Sequence, residues 1–122
     1  MAIMVKKQAG VPDGPHTGVI INAEETTKVF DPAVGPEASI EVTIQPAWQS
    51  PDGAETLPLN VLFSPVLNGL SALSLFLKRL GMEPENGIAW EPTSLIGVEV
   101  QFVAHHAPNG FVRVNKDSIK AA

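Results

Sequence analysis

Two adjacent histidines, His105 and His106, are the residues of this 122-residue chain whose type most suggests metal chemistry. Imidazole nitrogens are common zinc ligands, but a zinc site needs several ligands that converge on one ion. Adjacent residues of a strand face opposite sides, so these two are poorly placed to chelate together. The chain has no cysteine, and its other histidine, His16, is distant in sequence. We therefore expect neither a metal nor another cofactor.

The motifs of covalent and phosphate chemistry are incomplete in this sequence. The nearest approach to a Gly-x-Ser-x-Gly nucleophile elbow is residues 69–73 (GLSAL), which lack the second glycine, so Ser71 is interpreted as a helix cap. Glu24 and Glu25 are adjacent and point to opposite faces, which argues against a catalytic carboxylate pair. Neither Gly-x-Gly-x-x-Gly nor a Walker A motif occurs. The chain is predicted not to be an enzyme.

Aromatic and cationic residues near predicted turns suggest binding rather than catalysis. Single-stranded nucleic acid is held by cations that follow its backbone and by aromatic faces on which bases stack. We predict that the nucleic-acid-binding residues are Trp48, Phe111, Arg113, Lys116, Lys120 and Lys28. In the alternative interpretation, Phe111 belongs to the core, Trp48 covers a barrel end and the cations form a solvated surface. Trp90 is interpreted as a core or rim residue.

Five segments of alternating hydrophobicity and one helical segment must position these residues. The alternation predicts strands over 16–29, 40–45, 57–63, 98–103 and 111–115, with Gly18 as a bend or bulge in the first. Helical spacing over 71–81 predicts a short helix between Ser71 as N-cap and Gly81 as C-terminal residue. Its apolar stripe is expected to plug the open end of a barrel, and it consists of Leu73, Phe76, Leu77 and Leu80.

The element order β-β-β-α-β-β defines the predicted fold class. We expect an all-β protein, a five-stranded oligonucleotide/oligosaccharide-binding (OB) type Greek-key barrel with one helix between strands 3 and 4. Residues 1–15 are expected to form a flexible lead-in, and residues 16–122 a single OB-like domain.

Composition sets further limits. With 44% hydrophobic and 17% charged residues the sequence is typical of a globular domain. Its 13 acidic and 8 basic residues give a net charge of -5, which counts against a nucleic-acid partner unless cations cluster locally. No apolar run reaches the length of a membrane span or a signal peptide. We expect a soluble, cytoplasmic protein without a membrane partner.

Three segments resemble single-stranded-DNA-binding or recombination-associated proteins of phages and prophages: 16–20 (HTGVI), 71–81 (SALSLFLKRLG) and 94–100 (SLIGVEV). The resemblance covers most of residues 16–119, and it implies an OB fold and a role in the replication or repair of viral DNA. Two features depart from that family. The chain ends in Ile119-Lys120-Ala121-Ala122 rather than in an acidic tail, and only 6% of its residues are aromatic.

The predicted function is therefore a single-stranded-DNA-binding module in phage or prophage replication or recombination, with self-association through a strand edge as a further expectation. A second interpretation is a non-enzymatic protein-interaction or structural module of OB fold, which the acidic balance and the sparse aromatic residues favour. A third is a carbohydrate or small-ligand OB domain, because a tryptophan stacks on a sugar as readily as on a base.

Overall fold

The computed structural model describes Ala2 and residues 7–122, and it is mostly β-structure. The strands of this part of the chain are β1 (Gln8–Ala9), β2 (Gly14–Val29), β3 (Pro36–Pro46), β4 (Glu55–Thr56), β5 (Leu59–Phe63), β6 (Glu99–His106), β7 (Val112–Val114) and β8 (Lys120–Ala121). Helix α1 (Ala72–Leu80) lies between β5 and β6 in sequence, and short 3-10 turns cover Pro92–Leu95 and Lys116–Ser118.

The main sheet is antiparallel, with strand order β5-β3-β2-β6-β7 and with β8 also paired to β6. Strands β2, β3 and β5 are consecutive neighbours, while β6 returns through the long α1-containing connection to lie beside β2. This is the spatial order of a Greek key. The sheet curls, because its end strands β5 and β7 lie close together although no ladder of the described residues joins them. The predicted all-β class with one helix is confirmed.

Strand β2 is the longest strand, and a bulge changes which of its side chains face the core. The register with β3 shifts between Ile20 and Asn22, so the extra residue is Ile21 rather than the predicted Gly18. Before the shift Ile20 is buried, and after it Ala23 is buried. The bulge thereby lets one strand keep an apolar face toward the core on both sides of a change in alternation.

Gly18 is required for a different reason, the close approach of β3. A Cβ atom at this position would lie 2.7 Å from the carbonyl oxygen of Gln45 and 2.9 Å from Cγ2 of Ile44. A side chain here would therefore push β2 and β3 apart at the point where their pairing ends.

The third predicted strand begins later than expected. Leu57 was expected to share a buried face with Leu59, but it is exposed and lies outside β5. Pro58 lacks an N–H group and interrupts the strand, so the pairing partner changes at this point. The residues before it form β4, which pairs in parallel with β1.

The helix follows its sequence signals closely. The Ser71 side chain accepts a hydrogen bond from Ser74 N, and Gly81 ends the helix in the left-handed conformation with a φ of 71°. The ring of Phe76 stacks on Phe63 of β5, with 4.6 Å between centroids. All four residues of the predicted apolar stripe are buried in the core: Leu73, Phe76, Leu77 and Leu80. The docking predicted for this stripe is confirmed.

The C-terminal segment is fastened to the helix and to β6. Arg79 donates from Nε to the carbonyl of Ile119 and from Nη2 to the carbonyl of Lys116, both at 2.8 Å. Val103 N of β6 donates to Ser118 Oγ at 2.8 Å. Ile119 is also buried in the core. The segment therefore covers the part of the β6 edge that lies between its pairing with β7 and its pairing with β8.

Much of the predicted lead-in over residues 1–15 takes part in the fold. Val11 is buried in the core, β1 pairs with β4, and β2 begins at Gly14. Residues 1 and 3–6 of that segment lie outside the described residues. No helix in the described part of the chain is long and apolar enough to cross a membrane.

Candidate nucleic-acid interface

A cleft of about 740 Å³ opens where β2, β6 and β8 meet, and we call it the lysine cleft. Thr17 of β2 is the register partner of Gln101 of β6, and Gln101 is in turn paired with Lys120 of β8. Three neighbouring strands therefore present these side chains at one level. The lysine cleft is defined by Thr17, Gln101, Val103, Lys120, His16, Trp48 and the acidic residue Asp117.

Trp48 follows the end of β3 and is held in place through the backbone on both sides. Ala47 N donates to the carbonyl of Thr17 at 2.9 Å, and Thr56 Oγ1 donates to the carbonyl of Trp48 at 2.7 Å. The side chain is half-buried and packs against the core. A large aromatic residue is thus fixed at the cleft while part of its surface stays accessible, which is what base stacking requires.

Trp48 also lines a second cleft of about 640 Å³, which we call the glutamine cleft. It is built from β1, the end of β3 and the β3–β4 loop, and its amide side chains are Gln8, Gln45 and Gln49. The loop contains a hydrogen-bonded turn, in which Gly53 N donates to the carbonyl of Ser50 at 3.1 Å and Ala54 N donates to Asp52 Oδ1 at 3.1 Å. The predicted turn at residues 49–53 is confirmed.

His16 is a residue of the lysine cleft that sequence reasoning did not assign to the site. Its ring lies 5.9 Å from that of buried Phe102, and its Nε2 is 2.7 Å from the carbonyl of Pro12. The sequence signal that could have pointed to His16 is its position near the start of the first predicted strand. The imidazole adds a second flat ring to the cleft.

Arg113 and Phe111 lie beyond the lysine cleft, toward the β6–β7 hairpin. Val103, which lines the cleft, and His105 both lie on the exposed side of β6. Arg113 of β7 is the register partner of His105. Phe111 is 68% exposed at the hairpin, so it does not belong to the core. The valines of β7 pack against the core instead. Arg113 and Phe111 therefore continue the accessible surface away from Trp48.

Lys116 and Lys28 are placed differently from the other predicted site residues. The ammonium of Lys116 lies 5.2 Å from the centre of the Phe63 ring, beside the junction between β5 and the C-terminal segment. Lys28 is near the far end of β2 and its Nζ is 3.2 Å from Glu41 Oε2. At about 3.3 Å per strand residue, Lys28 is tens of ångströms from His16 along β2. The structure does not bring Lys28 to the cleft.

The cations of the described residues differ in whether another group engages them. Lys28 and Lys78 have carboxylate partners, and Arg79 is occupied by carbonyl groups. In the part of the chain that the structure describes, no ion pair engages the remaining C-terminal cations, Arg113, Lys116 and Lys120. These three cations lie around β6–β8 together with the carboxylates of Glu99 and Asp117. Elsewhere in the sheet, Glu24 of β2 is directly opposite Glu41 of β3.

His106 has a partner in the segment that precedes β2. Its Nδ1 lies 2.5 Å from Asp13 Oδ1, and this hydrogen bond is the main cause that lowers the pKa of Asp13 below its ordinary value of 3.8. His105 is exposed on the opposite face of β6. Among the described residues no group of three or more histidine, cysteine, aspartate or glutamate side chains could hold a metal ion.

Replacing His106 by alanine is expected to raise the pKa of Asp13 toward 3.8, because the hydrogen bond that favours its carboxylate form is lost. In the native protein this carboxylate stabilises the fold above pH 3.8, and the contribution is lost as the pH falls through its lower folded-state value. Carboxyl ¹³C chemical shifts measured through an acid titration would report the change. The control is His105→Ala, whose effect should be much smaller; an unaltered Asp13 titration in His106→Ala would contradict the assignment.

No family model, curated protein or solved structure matches this chain. Function is therefore inferred from the geometry of the two clefts and from the charges around them.

Proposed function

We propose that this protein binds single-stranded DNA along the surface that runs from the lysine cleft to the β6–β7 hairpin. The observation that carries the proposal is that Trp48 and Lys120 line the same open cleft. A stacking surface and a cation without an ion-pair partner among the described residues are the two elements that single strands need. The exposed Phe111 and Arg113 extend the same combination along β6 and β7.

We further propose that the curled sheet is an OB-type barrel. Its support is the Greek-key order of β6-β2-β3-β5, the approach of β5 to β7 and the helix between the third and fourth strands of the order. OB domains bind oligomers on the face of strands 2 and 3 and in the loops joining strands 1 to 2 and 4 to 5. Strands 2 and 3 of this order are β3 and β5, and their paired residues include the carboxylate of Glu41 but no lysine or arginine that could contact phosphate. Binding is therefore assigned to the β6–β7 hairpin, which joins strands 4 and 5 of the order, and to the end of β3, which is strand 2.

In the proposed complex, bases stack on Trp48 and on Phe111, each stack contributing about 1–3 kcal/mol. Lys120 and Arg113 contact phosphates, and Lys116 stabilises the fold through its contact with the Phe63 ring. We also propose a role in phage replication or recombination, and this part of the proposal rests only on the resemblance of three sequence segments to phage and prophage proteins.

A fluorescence titration with oligothymidylate at low salt tests the function. Binding should quench tryptophan emission, and log K should fall with log salt with a slope of about -1.4, at roughly 0.7 for each of two phosphate contacts. Lys120→Ala should reduce the slope by about half, since it removes one of those contacts. No quenching with micromolar protein at low salt would refute the proposal, and quenching by a neutral oligosaccharide instead would favour the carbohydrate interpretation.

The second candidate is a protein-interaction module, and a specific feature of β2 and β3 favours it. Beyond the segments that pair with β6 and β5, these two strands continue as a hairpin arm. Its tip exposes the apolar side chains of Val29, Phe30 and Val34. Light scattering after size-exclusion chromatography discriminates the two. A stable oligomer that is indifferent to oligothymidylate supports this candidate, whereas a mass increase with oligothymidylate supports the first.

A further inference from the structure

The glutamine cleft differs chemically from the lysine cleft although the two share Trp48. Lys120 lies in the lysine cleft, whereas the described residues that line the glutamine cleft include the carboxylate of Glu55 but no lysine or arginine. The amides of Gln8 and Gln49 form no hydrogen bond with any described residue, while Gln45 Nε2 donates to the carbonyl of Thr56 at 3.2 Å. Two neutral side chains, each with donors and an acceptor, thus remain available at this cleft.

We propose that the glutamine cleft is a nucleobase subsite, in which Gln8 and Gln49 hydrogen-bond to the polar edge of a base. This inference depends on the proposed function, because the bound single-stranded DNA must extend past Trp48 to reach the glutamine cleft. A phosphate needs cations and a base needs neutral donors and acceptors beside an aromatic wall. The lysine cleft contains the cation Lys120 alongside Asp117, whereas the glutamine cleft has neutral amides beside Trp48.

The subsite is held in a fixed geometry by the β1–β4 pair. Gln8 is the register partner of Glu55, and the backbone amides of Glu55 and Leu57 donate to the carbonyls of Lys7 and Ala9, each at 2.9 Å. Gln49 lies on the other side of the cleft, between Trp48, whose carbonyl accepts from Thr56 Oγ1, and the hydrogen-bonded turn from Ser50 to Gly53. Because both amides project from anchored backbone, the cleft discriminates between bases by hydrogen-bond pattern rather than admitting each of them equally.

Two comparisons test the subsite. An oligothymidylate whose central nucleotides are abasic should bind about fivefold or more weakly than the intact oligomer, since both stacking and base hydrogen bonds are lost. Gln49→Ala and Gln8→Ala should each change the relative affinities for oligo-dA, oligo-dC and oligo-dT severalfold, and should leave the salt slope unchanged because no phosphate contact is removed. The control is Asn22→Ala, an exposed amide on β2 away from both clefts.

The outcomes separate this inference from the proposed function. Binding with the expected salt slope, but with base preferences that neither glutamine variant alters, would overturn the subsite and leave the function standing. Binding of a neutral oligosaccharide that disappears in Gln49→Ala would also overturn the nucleobase subsite. Absence of oligonucleotide binding altogether would overturn both.

Discussion

Phe76→Ala is expected to destabilise the protein by about 3–5 kcal/mol, the cost of deleting a large buried aromatic side chain. Phe76 is fully buried and stacks on Phe63, so its removal leaves a cavity between α1 and the sheet. A helix of nine residues has little stability of its own, and the loss therefore affects the whole fold. Urea unfolding followed by circular dichroism measures the change.

The matched control is Leu75→Ala, the neighbouring position on the other side of the helix. Leu75 is 41% exposed, so its truncation should change the free energy of unfolding by only about 0.5 kcal/mol. Equal effects of the two substitutions would show that the buried stripe does not anchor the helix.

Trp48→Ala is expected to weaken oligothymidylate binding by about 5- to 150-fold, the range that corresponds to the loss of one stacked base. Because emission from Trp48 disappears in this variant, the affinity is best measured by fluorescence anisotropy with a labelled oligonucleotide. The salt slope should stay near that of the native protein, since the substitution removes no cation.

Two further variants separate stacking from folding. Trp48→Phe keeps a stacking ring and should retain most of the affinity, whereas a purely structural role would make the loss follow the drop in melting temperature. Trp90→Phe should bind normally and still be quenched, because Trp90 packs elsewhere against the core and lines neither cleft. Its Nε1 is buried without a partner among the described residues, so phenylalanine loses no hydrogen bond there. Quenching that vanishes in Trp90→Phe would move the binding surface away from Trp48.

The sequence by itself determined the elements whose signals are local. The cap at Ser71, the left-handed Gly81 and the spacing of the apolar stripe specify α1, because each depends on residues within a few positions. The alternation of Ile40, Val42 and Ile44 likewise specifies the buried face of β3, since a strand places every second side chain on the same side.

Only the tertiary structure decided which distant residues meet. Lys28 looked equivalent to Lys120 in sequence, but strand pairing put Lys28 beside Glu41 and Lys120 in the same cleft as Trp48. The pairing of β1 with β4, which builds the glutamine cleft around Gln8, has no local signal, as each strand has only two residues. Register and long-range pairing are set by the packing of the whole core, so the clefts exist only once the sheet has curled.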